Sequence, residues 1–137
     1  MKTSVKWTDG VSFLGKSESG HSVTLDGPSE LGGKNSGMRP MEMMLISIGG
    51  CTSFDVVTIL KKSRQNITDC VAEISSERSE GIPKVFKKIH IHFIVSGEGL
   101  DKTVVERAIK LSSEKYCSAS IMLKESIDFS YDCEIVK

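Results

Sequence analysis

The sequence lacks several features that would assign a function at once. The 137-residue chain carries 18 basic and 18 acidic residues, so its formal net charge is zero. A nucleic-acid-binding protein usually has a basic excess or a basic stripe, and we therefore expect no nucleic-acid partner. No unbroken run approaches the roughly 20 apolar residues of a membrane helix. The N-terminus lacks a signal-peptide pattern. We therefore expect a cytoplasmic protein without a membrane partner.

The chain has four cysteines but no C-x-x-C pair. This absence argues against a zinc finger and against a thioredoxin-type motif. Structural disulfides are rare in the reducing cytosol. Cys51, Cys70, Cys117 and Cys133 are therefore expected to serve as packed or chemically active thiols rather than as a disulfide framework.

The pattern of apolar residues predicts one α+β domain over residues 1–137. A chain of this length suits a single domain. The first half is predicted to contain three strands within 4–26, a glycine-rich loop at 27–38 with little structure of its own, and a helix at 40–64. Strands at 68–77 and 85–95 follow. A helix capped by Asp101, a short helix at 118–124 and a strand at 127–136 complete the predicted order. Runs of strands separated by helices favour antiparallel pairing over a βαβ fold.

The predicted helix at 40–64 is apolar on every side. Residues 43–46 are consecutive apolar residues, and the segment 54–60 is nearly as apolar. A helix that is apolar all round is buried all round. One small sheet cannot surround such a helix, so we expect a second copy of the chain to cover its far side in a homodimer.

Three segments resemble those of the OsmC/Ohr family. Residues 40–51, PMEMMLISIGGC, contain a proline, an acidic first turn, an apolar run, small residues and then Cys51. Residues 112–118, SSEKYCS, resemble the second cysteine motif of the family and contain Cys117. Residues 82–97 are similar to its central strand pair. The resemblance covers nearly the whole chain in the same order.

This resemblance implies an OsmC-like fold, with antiparallel sheets around a long buried central helix, in an intertwined homodimer whose active site lies at the subunit interface. It also implies a cysteine-dependent peroxidase that reduces organic or inorganic hydroperoxides without a metal or an organic cofactor. Cys51 would be oxidised to a sulfenic acid, and Cys117 would then form a disulfide with it. A dithiol, such as the lipoyl group used by Ohr members, would reduce that bond.

Two further residues are expected to assist. The resemblance implies that Arg39 and Glu42 orient the peroxide or stabilise the thiolate. The family arginine comes from the N-terminal strands, but this sequence has no arginine before Arg39. Arg39 or Arg78 would therefore have to take its place.

The residues alone suggest a different order of reactivity. Cys117 lies near the start of a short helix, where free N–H groups lower the pKa of a thiol. Cys51 lies about eleven residues into its helix, roughly 16 Å from the helix start, and a buried structural thiol is the alternative reading for it. Cys70 and Cys133 are expected to be packing residues.

Other readings compete with the peroxidase. His90 and His92 share one face of a strand, but two ligands do not complete a zinc site, and we expect a solvated face there. A non-enzymatic OsmC-like dimer could bind a small apolar ligand at its interface. A thiol enzyme of sulfur transfer would use Cys51 to carry a persulfide.

Overall fold

The computed structural model describes all 137 residues, and its elements follow the predicted order. The residues cluster into two compact units, Met1–Ile46 and Ser47–Lys137. Two three-stranded sheets and one long helix confirm the α+β class. The elements are β1 (Thr3–Asp9), β2 (Ser12–Ser17), β3 (Ser22–Leu25), α1 (Pro40–Lys62), β4 (Asn66–Arg78), β5 (Phe86–Glu98), α2 (Lys102–Leu111), α3 (Ser118–Leu123) and β6 (Asp128–Val136).

The N-terminal unit contains an antiparallel sheet in the order β1-β2-β3. Gly10 turns the chain between the first two strands with a φ of 53°, a left-handed conformation that glycine adopts without strain. Trp7 pairs with Phe13 across these strands. Because Trp7 remains 64% exposed, the chain leaves apolar side chains of this sheet uncovered.

The loop after β3 is more organised than its glycine content predicts. Asp26 is only 2% exposed. Its carboxylate accepts hydrogen bonds of 2.6 to 3.1 Å from the backbone N–H groups of Gly27, Lys34 and Ser36 and from the Ser36 hydroxyl. The Ser36 hydroxyl and the N–H groups of Gly27 and Ser36 hold the pKa of Asp26 well below its usual range. The loop therefore has more fixed structure than its glycines indicate, because one carboxylate binds four donors.

Helix α1 begins at the predicted residue and ends two residues early. The backbone N–H of Arg39, directly before Pro40, donates to the Glu42 carboxylate at 2.8 Å. The first-turn side chain thus reaches back to the start of the helix, as in a capping box. At the other end the helix stops at Lys62, and Arg64 adopts a left-handed φ of 60° that turns the chain away.

A single chain buries only one stripe of α1. The buried residues recur every three or four positions and are Ile48, Gly49, Thr52, Val56 and Leu60. By contrast, Ile46 is 53% exposed and Phe54 is 73% exposed. One chain therefore does not cover the helix on all sides, which is the premise of the argument for a second copy.

By length and composition alone, α1 could cross a membrane, since its most apolar stretch has a mean hydropathy of 1.7. Polar residues interrupt α1, so its sequence contains no unbroken apolar run of membrane-spanning length. Asp55, within the helix, accepts a hydrogen bond from Ser112. The side chain of Ile74 packs directly against Gly49. These contacts are those of a core helix in a folded domain.

The sheet of the C-terminal unit has the order β4-β5-β6, with β5 in the centre. Strands β4 and β5 are antiparallel neighbours, as predicted. Ile89, Ile91, Phe93 and Val95 alternate along β5 and are all completely buried. Burial of each side chain of this size contributes about 1.5–3 kcal/mol. The inward face of β5 therefore forms the centre of the core of this unit.

One strand pairing differs from the prediction. Strand β6 runs parallel to β5, from Lys88 opposite Asp128 to Ser96 opposite Val136. Parallel neighbours need a long crossover connection, and residues 99–127, which contain α2 and α3, provide it. The expectation of antiparallel pairing is therefore wrong for β6, because the alternation of apolar residues in a strand does not encode its direction.

Helix α2 has the predicted cap and inner face. The Asp101 carboxylate accepts a hydrogen bond of 2.9 Å from the Thr103 N–H at the first turn. Val105, Ala108 and Ile109 are buried. The cap and the apolar stripe together orient α2 so that its last turn leads into the segment containing Cys117.

We predict that Asp26→Asn lowers the melting temperature at neutral pH, because an amide cannot accept all four hydrogen bonds. Folding lowers the pKa of Asp26, so the ionised group stabilises the native state above its unfolded pKa of about 3.9. This stabilisation is lost as the pH falls through the lower folded pKa. Calorimetry should therefore find the full difference at neutral pH and a shrinking difference below about pH 4.

Asp9→Asn is the matched control. Asp9 forms an exposed ion pair with Lys34 at 2.7 Å, and exposed pairs contribute little to stability. Equal losses of melting temperature in the two variants would contradict the structural role of Asp26.

Candidate functional site

Cys51 lies in the middle of α1 and is half-buried. Its two neighbours in the helix are in opposite environments. Thr52 is completely buried, whereas Gly50 is exposed and has open space where a side chain would begin. Cys51 therefore stands at the border between the buried stripe of α1 and an open surface, within reach of a small molecule.

A π-helical turn positions Cys117. This turn covers Ser112–Tyr116, and the Cys117 N–H donates to the Ser112 carbonyl at 2.7 Å, five residues back. Such turns are rare and often occur at functional sites. Cys117 is then the N-cap of α3, where its sulfur accepts a hydrogen bond from the Ser120 N–H at 3.4 Å. The predicted break before the short helix is confirmed, and Cys117 is completely buried.

The structure brings the two predicted catalytic cysteines together, although residues 52–116 separate them in sequence. Thr52, the residue after Cys51, places its Oγ1 3.3 Å from the Cys117 sulfur, and each of the two thiols affects the pKa of the other. Two hydroxyl groups face the same sulfur, Ser120 Oγ at 3.1 Å and Thr52 Oγ1 at 3.3 Å. The Ser120 hydroxyl and N–H both donate to the Cys117 sulfur, which favours a thiolate. Thr52 Oγ1 also donates to the Ile48 carbonyl at 3.0 Å, so it can be the donor or the acceptor in its contact with the sulfur.

Hydrogen bonding decides which of the two thiols ionises first. Burial acts to raise the pKa of Cys117, but the donors from Ser120, Thr52 and Cys51 outweigh burial and lower this pKa below its ordinary value. Cys117 is therefore the more readily ionised thiol of the pair. This agrees with the reading from the residues, which made Cys117 the easier thiolate.

The pKa of Cys51 moves in the opposite direction. The Ala119 N–H donates to the Cys51 sulfur and lowers its pKa. Burial, the hydrogen bond to Cys117 and the negative charges of Cys117 and Asp55 more than offset this donor and raise the pKa above its ordinary value. Cys51 is therefore the less readily ionised thiol of the pair.

Two polar contacts hold the elements of the site together. The Ser112 hydroxyl, in the π-helical turn, lies 2.9 Å from Asp55 Oδ2 and 3.3 Å from the Thr52 carbonyl on α1. Tyr131 on β6 hydrogen-bonds to the Ser120 side chain. Burial and the charge of Cys117 raise the pKa of Tyr131 although its bond to Ser120 lowers it, so its hydroxyl keeps its proton. The site thus joins α1, the π-helical turn, α3 and β6.

Sequence reasoning missed Thr52, Ser120 and Tyr131. A signal for Ser120 existed, because the third residue after a helix N-cap often interacts with the capping side chain. Tyr131 could have been placed on the inward face of β6 by strand alternation. Nothing in the sequence indicates that Thr52 faces Cys117, because that contact depends on how α1 packs against the turn.

Residues 33–132 match the family model described as OsmC-like protein. The chain belongs to the OsmC family. It is 46% identical over 139 residues to Protein YhfA of Escherichia coli strain K12, an alignment that covers 99% of this chain and 98% of YhfA. The predicted recognition of a small OsmC-like protein is therefore confirmed.

Solved structures agree in fold. A hypothetical protein from Aquifex aeolicus VF5 is 33% identical, with a TM-score of 0.83 over 99% of this chain and 97% of that chain. The organic hydroperoxide resistance protein OhrB of Bacillus subtilis has a TM-score of 0.66 over 97% of this chain and 96% of that chain, at 17% identity. The second likeness is one of fold alone.

In this OsmC-family chain, Arg39 and Glu42 are joined to each other at the start of α1 by the backbone bond described above. The Arg39 guanidinium binds the preceding loop, with Nη1 donating to Asn35 Oδ1 at 2.7 Å and to the Gly37 carbonyl at 3.2 Å. These contacts lie in the N-terminal unit and organise its loop. The predicted role of the two residues toward a peroxide stays a prediction.

Arg78 is engaged at the connection between β4 and β5. Its Nε and Nη2 atoms donate to the Lys84 carbonyl at 3.1 and 2.6 Å, and its guanidinium lies 5.8 Å from the centre of the Phe86 ring. These contacts close the connection between the two strands.

All four cysteines are free thiols. Cys70 and Cys133 are half-buried on the inward sides of β4 and β6. Burial raises the pKa of both thiols above the ordinary value. A neutral thiol is a poor nucleophile, which fits their predicted role in packing.

His90 and His92 form a ladder with acidic residues of the neighbouring strand β6. Asp132 Oδ1 lies 2.7 Å from His90 Nε2 and 2.8 Å from His92 Nδ1, and Glu134 Oε1 lies 3.1 Å from His92 Nε2. Because both ring nitrogens of His92 face carboxylates, its imidazolium form fits this geometry, and Glu134 and Asp132 raise its pKa. No group of three or more His, Cys, Asp or Glu residues is arranged to hold a metal ion.

We predict that Ser120→Ala raises the pKa of Cys117, because it removes the shortest donor to the sulfur. A titration of the ultraviolet thiolate absorbance should find that the first thiolate forms at higher pH than in the parent protein. Ser113→Ala is the matched control, since the Ser113 hydroxyl bonds to the Lys110 carbonyl instead. An unchanged titration in Ser120→Ala would exclude this serine from thiolate stabilisation.

Proposed function

We propose that this chain is a thiol-dependent peroxidase that reduces organic or inorganic hydroperoxides through Cys51 and Cys117. The observation that carries the proposal is the approach of half-buried Cys51 and its neighbour Thr52 to buried Cys117, whose sulfur accepts hydrogen bonds from the Ser120 hydroxyl and N–H. Two thiols in contact can close a disulfide once one of them is oxidised. The fold shared with an organic hydroperoxide resistance protein supports the same chemistry.

The proposed cycle has three steps. The Cys51 sulfur attacks one peroxide oxygen, the O–O bond breaks, and an alcohol or water leaves behind a sulfenic acid. The Cys117 thiolate then attacks the oxidised sulfur, forms a disulfide and releases hydroxide, which takes up a proton to become water. A dithiol or lipoyl group exchanges with this disulfide and returns both thiols to the reduced state.

Arg39 and Glu42 are the residues proposed to orient the peroxide. The support for this role is their position at the start of the helix that carries Cys51, as in the family signature. We also propose a cytoplasmic location, since a cycle that ends with reduction by a dithiol needs a reducing compartment.

We further propose that the active form is a homodimer. Large apolar side chains are exposed in each unit, among them Val5 and Trp7 at 64% each, Met122 at 71% and Phe54 at 73%. Soluble monomers rarely expose contiguous apolar patches of large size. A second copy of the chain is the economical cover, and proteins of the OsmC/Ohr family are commonly dimeric.

One equivalent of hydroperoxide added to the reduced protein should yield a disulfide between Cys51 and Cys117. Intact mass and peptide mapping would identify it. Peroxide consumption with dithiothreitol as reductant should be abolished in Cys51→Ser, because the attacking sulfur is gone. Cys70→Ser is the control and should consume peroxide at the parent rate.

If Cys51→Ser consumed peroxide at the parent rate, the enzymatic assignment would be wrong and a ligand-binding dimer would be the better account. A persulfide on Cys51 in the freshly purified protein, together with no reaction with peroxide, would favour sulfur transfer.

Sedimentation at low micromolar concentration should find a homodimer. Phe54→Glu should weaken it, because a charge on this exposed position of α1 would be costly to bury against a partner. Glu42→Gln, a change at an exposed polar position of the same helix, is the control. A stable, folded parent monomer at these concentrations would contradict the proposed homodimer.

A further inference from the structure

A single negative charge lies near Cys51 in an otherwise apolar stretch of α1. Between Glu42 and Lys61, the only charged residue of this helix is Asp55. Asp55 is half-buried, and none of the ion pairs in the structure includes it. Charged side chains in apolar surroundings usually have an ionic partner. The unpaired carboxylate of Asp55 therefore calls for a role.

Helix geometry places the Asp55 carboxylate close to Cys51. Residues four apart share one face of a helix, with their Cβ atoms about 5–6 Å apart. Helical side chains lean towards the N-terminus, so the side chain of Asp55 covers the preceding turn, which contains Cys51. The Ser112 hydroxyl fixes it there, because this hydroxyl lies 2.9 Å from Asp55 Oδ2 and 3.3 Å from the Thr52 carbonyl.

The nearby cation is too distant from Cys51 to cancel this charge. A groove of about 400 Å³ beside Asp55 has one basic side chain in its wall, that of Lys62. Lys62 lies eleven residues after Cys51 on α1, which is about 16 Å along the helix axis, whereas Asp55 is about 6 Å away along the axis. The other residues of the wall are neutral: Thr58, Ile59, Ser63, Leu111 and Tyr116.

The second group that influences Cys51 electrostatically has the same sign. The Ala119 N–H lowers the pKa of Cys51, but burial and the negative charges of Cys117 and Asp55 raise it. Charges act over a Debye length of about 8–10 Å at ordinary salt concentrations. A reactant that approaches the Cys51 sulfur therefore comes within range of the Asp55 carboxylate from any direction.

We propose that Asp55 selects the reactants of Cys51 by charge, so that neutral hydroperoxides react while peroxides with a negative charge close to the O–O bond are repelled. The substrate class rests on the proposed peroxidase function, whereas the effect of Asp55 on the approach of charged reagents to Cys51 does not. Asp55 neither gives nor takes a proton in this role. Hydrogen peroxide and simple alkyl hydroperoxides are neutral at neutral pH and belong to the favoured class.

The test compares a neutral and an anionic alkylating reagent of the same chemistry. Iodoacetamide and iodoacetate both react with the Cys51 thiolate by displacement of iodide. At one pH, the ratio of their rates is therefore independent of the fraction of Cys51 that is ionised, and it reports the charge around the sulfur. Peptide mapping assigns the label to Cys51, and N-acetylcysteine amide gives the intrinsic ratio of the two reagents.

Asp55→Asn removes the charge and keeps an oxygen that can accept a hydrogen bond from Ser112. The preference of Cys51 for iodoacetamide should exceed the intrinsic ratio in the parent protein and should fall by at least about twofold in this variant. For charges about 8 Å apart, Coulomb's law gives about twofold in a water-like medium and about thirtyfold at the effective dielectric of a protein surface. An unchanged preference would overturn the proposal.

Two further variants separate charge from structure. Asp55→Glu keeps the negative charge and should retain most of the parent preference. Glu73→Gln removes a negative charge from the outer face of the C-terminal sheet, where Glu73 pairs with His92, and should leave the preference unchanged. A loss in either variant as large as that in Asp55→Asn would contradict a local electrostatic role of Asp55.

Salt provides a measurement on the parent protein alone if Asp55→Asn folds poorly. The Debye length shortens from about 10 Å at 0.1 M to about 3 Å at 1 M ionic strength. The preference of Cys51 for iodoacetamide should therefore move towards the intrinsic ratio as sodium chloride is added. A preference at low salt no greater than that of N-acetylcysteine amide would refute the selection by charge.

Peroxides provide the functional measurement. In single-turnover oxidation of Cys51, Asp55→Asn should accelerate the reaction with anionic peroxymonosulfate relative to the reaction with neutral tert-butyl hydroperoxide. An unchanged ratio of these two rates would refute the proposed substrate class.

The two proposals fail in different ways. A shifted alkylation preference in Asp55→Asn, combined with no oxidation of the parent protein by hydroperoxide, would support selection by charge while refuting the peroxidase. Oxidation by hydroperoxide, combined with the same alkylation preference in parent and variant, would leave the peroxidase standing and refute the role of Asp55.

Discussion

The site depends on the hydrogen bonds that converge on the buried sulfur of Cys117. A thiolate loses its hydration when it is buried, and this loss alone would keep Cys117 protonated. The Ser120 hydroxyl at 3.1 Å and the Ser120 N–H at 3.4 Å donate to the sulfur in place of the lost water, and Thr52 Oγ1 contacts it at 3.3 Å. This arrangement lowers the pKa of Cys117, whereas burial and the neighbouring acidic groups raise the pKa of Cys51.

The fold brings these groups to the sulfur from two sides. The π-helical turn after α2 lets the chain present Cys117 at the start of α3, so that Ser120 reaches back to its sulfur. Helix α1 brings Thr52 and Cys51 to the same sulfur from the other side. The Ser112 hydroxyl donates a hydrogen bond to Asp55 and so links the π-helical turn to α1. The parallel strand β6 adds Tyr131 behind Ser120, and this contact depends on the long crossover that the prediction of antiparallel pairing overlooked.

Local chemistry is what the sequence encodes most directly. Pro40 begins α1 and Asp101 caps α2 because both signals act within one turn of the chain. The meeting of Cys51 with Cys117 follows from family resemblance, since no local pattern joins positions separated by residues 52–116. The direction of β6 escapes sequence reasoning for a similar reason, because it arises from packing between distant segments. The four donors around Asp26 come from the same loop, but they depend on an irregular backbone path that no periodic pattern encodes.

The measurement that tests the central claim most directly is a site-resolved NMR titration of the cysteine β-carbons in the reduced protein. The account predicts two linked steps, in which the Cys117 carbon responds at lower pH than ordinary thiols do and the Cys51 carbon responds at higher pH. Titration of Cys51 before Cys117, or independent titration of both at the ordinary thiol value, would contradict it.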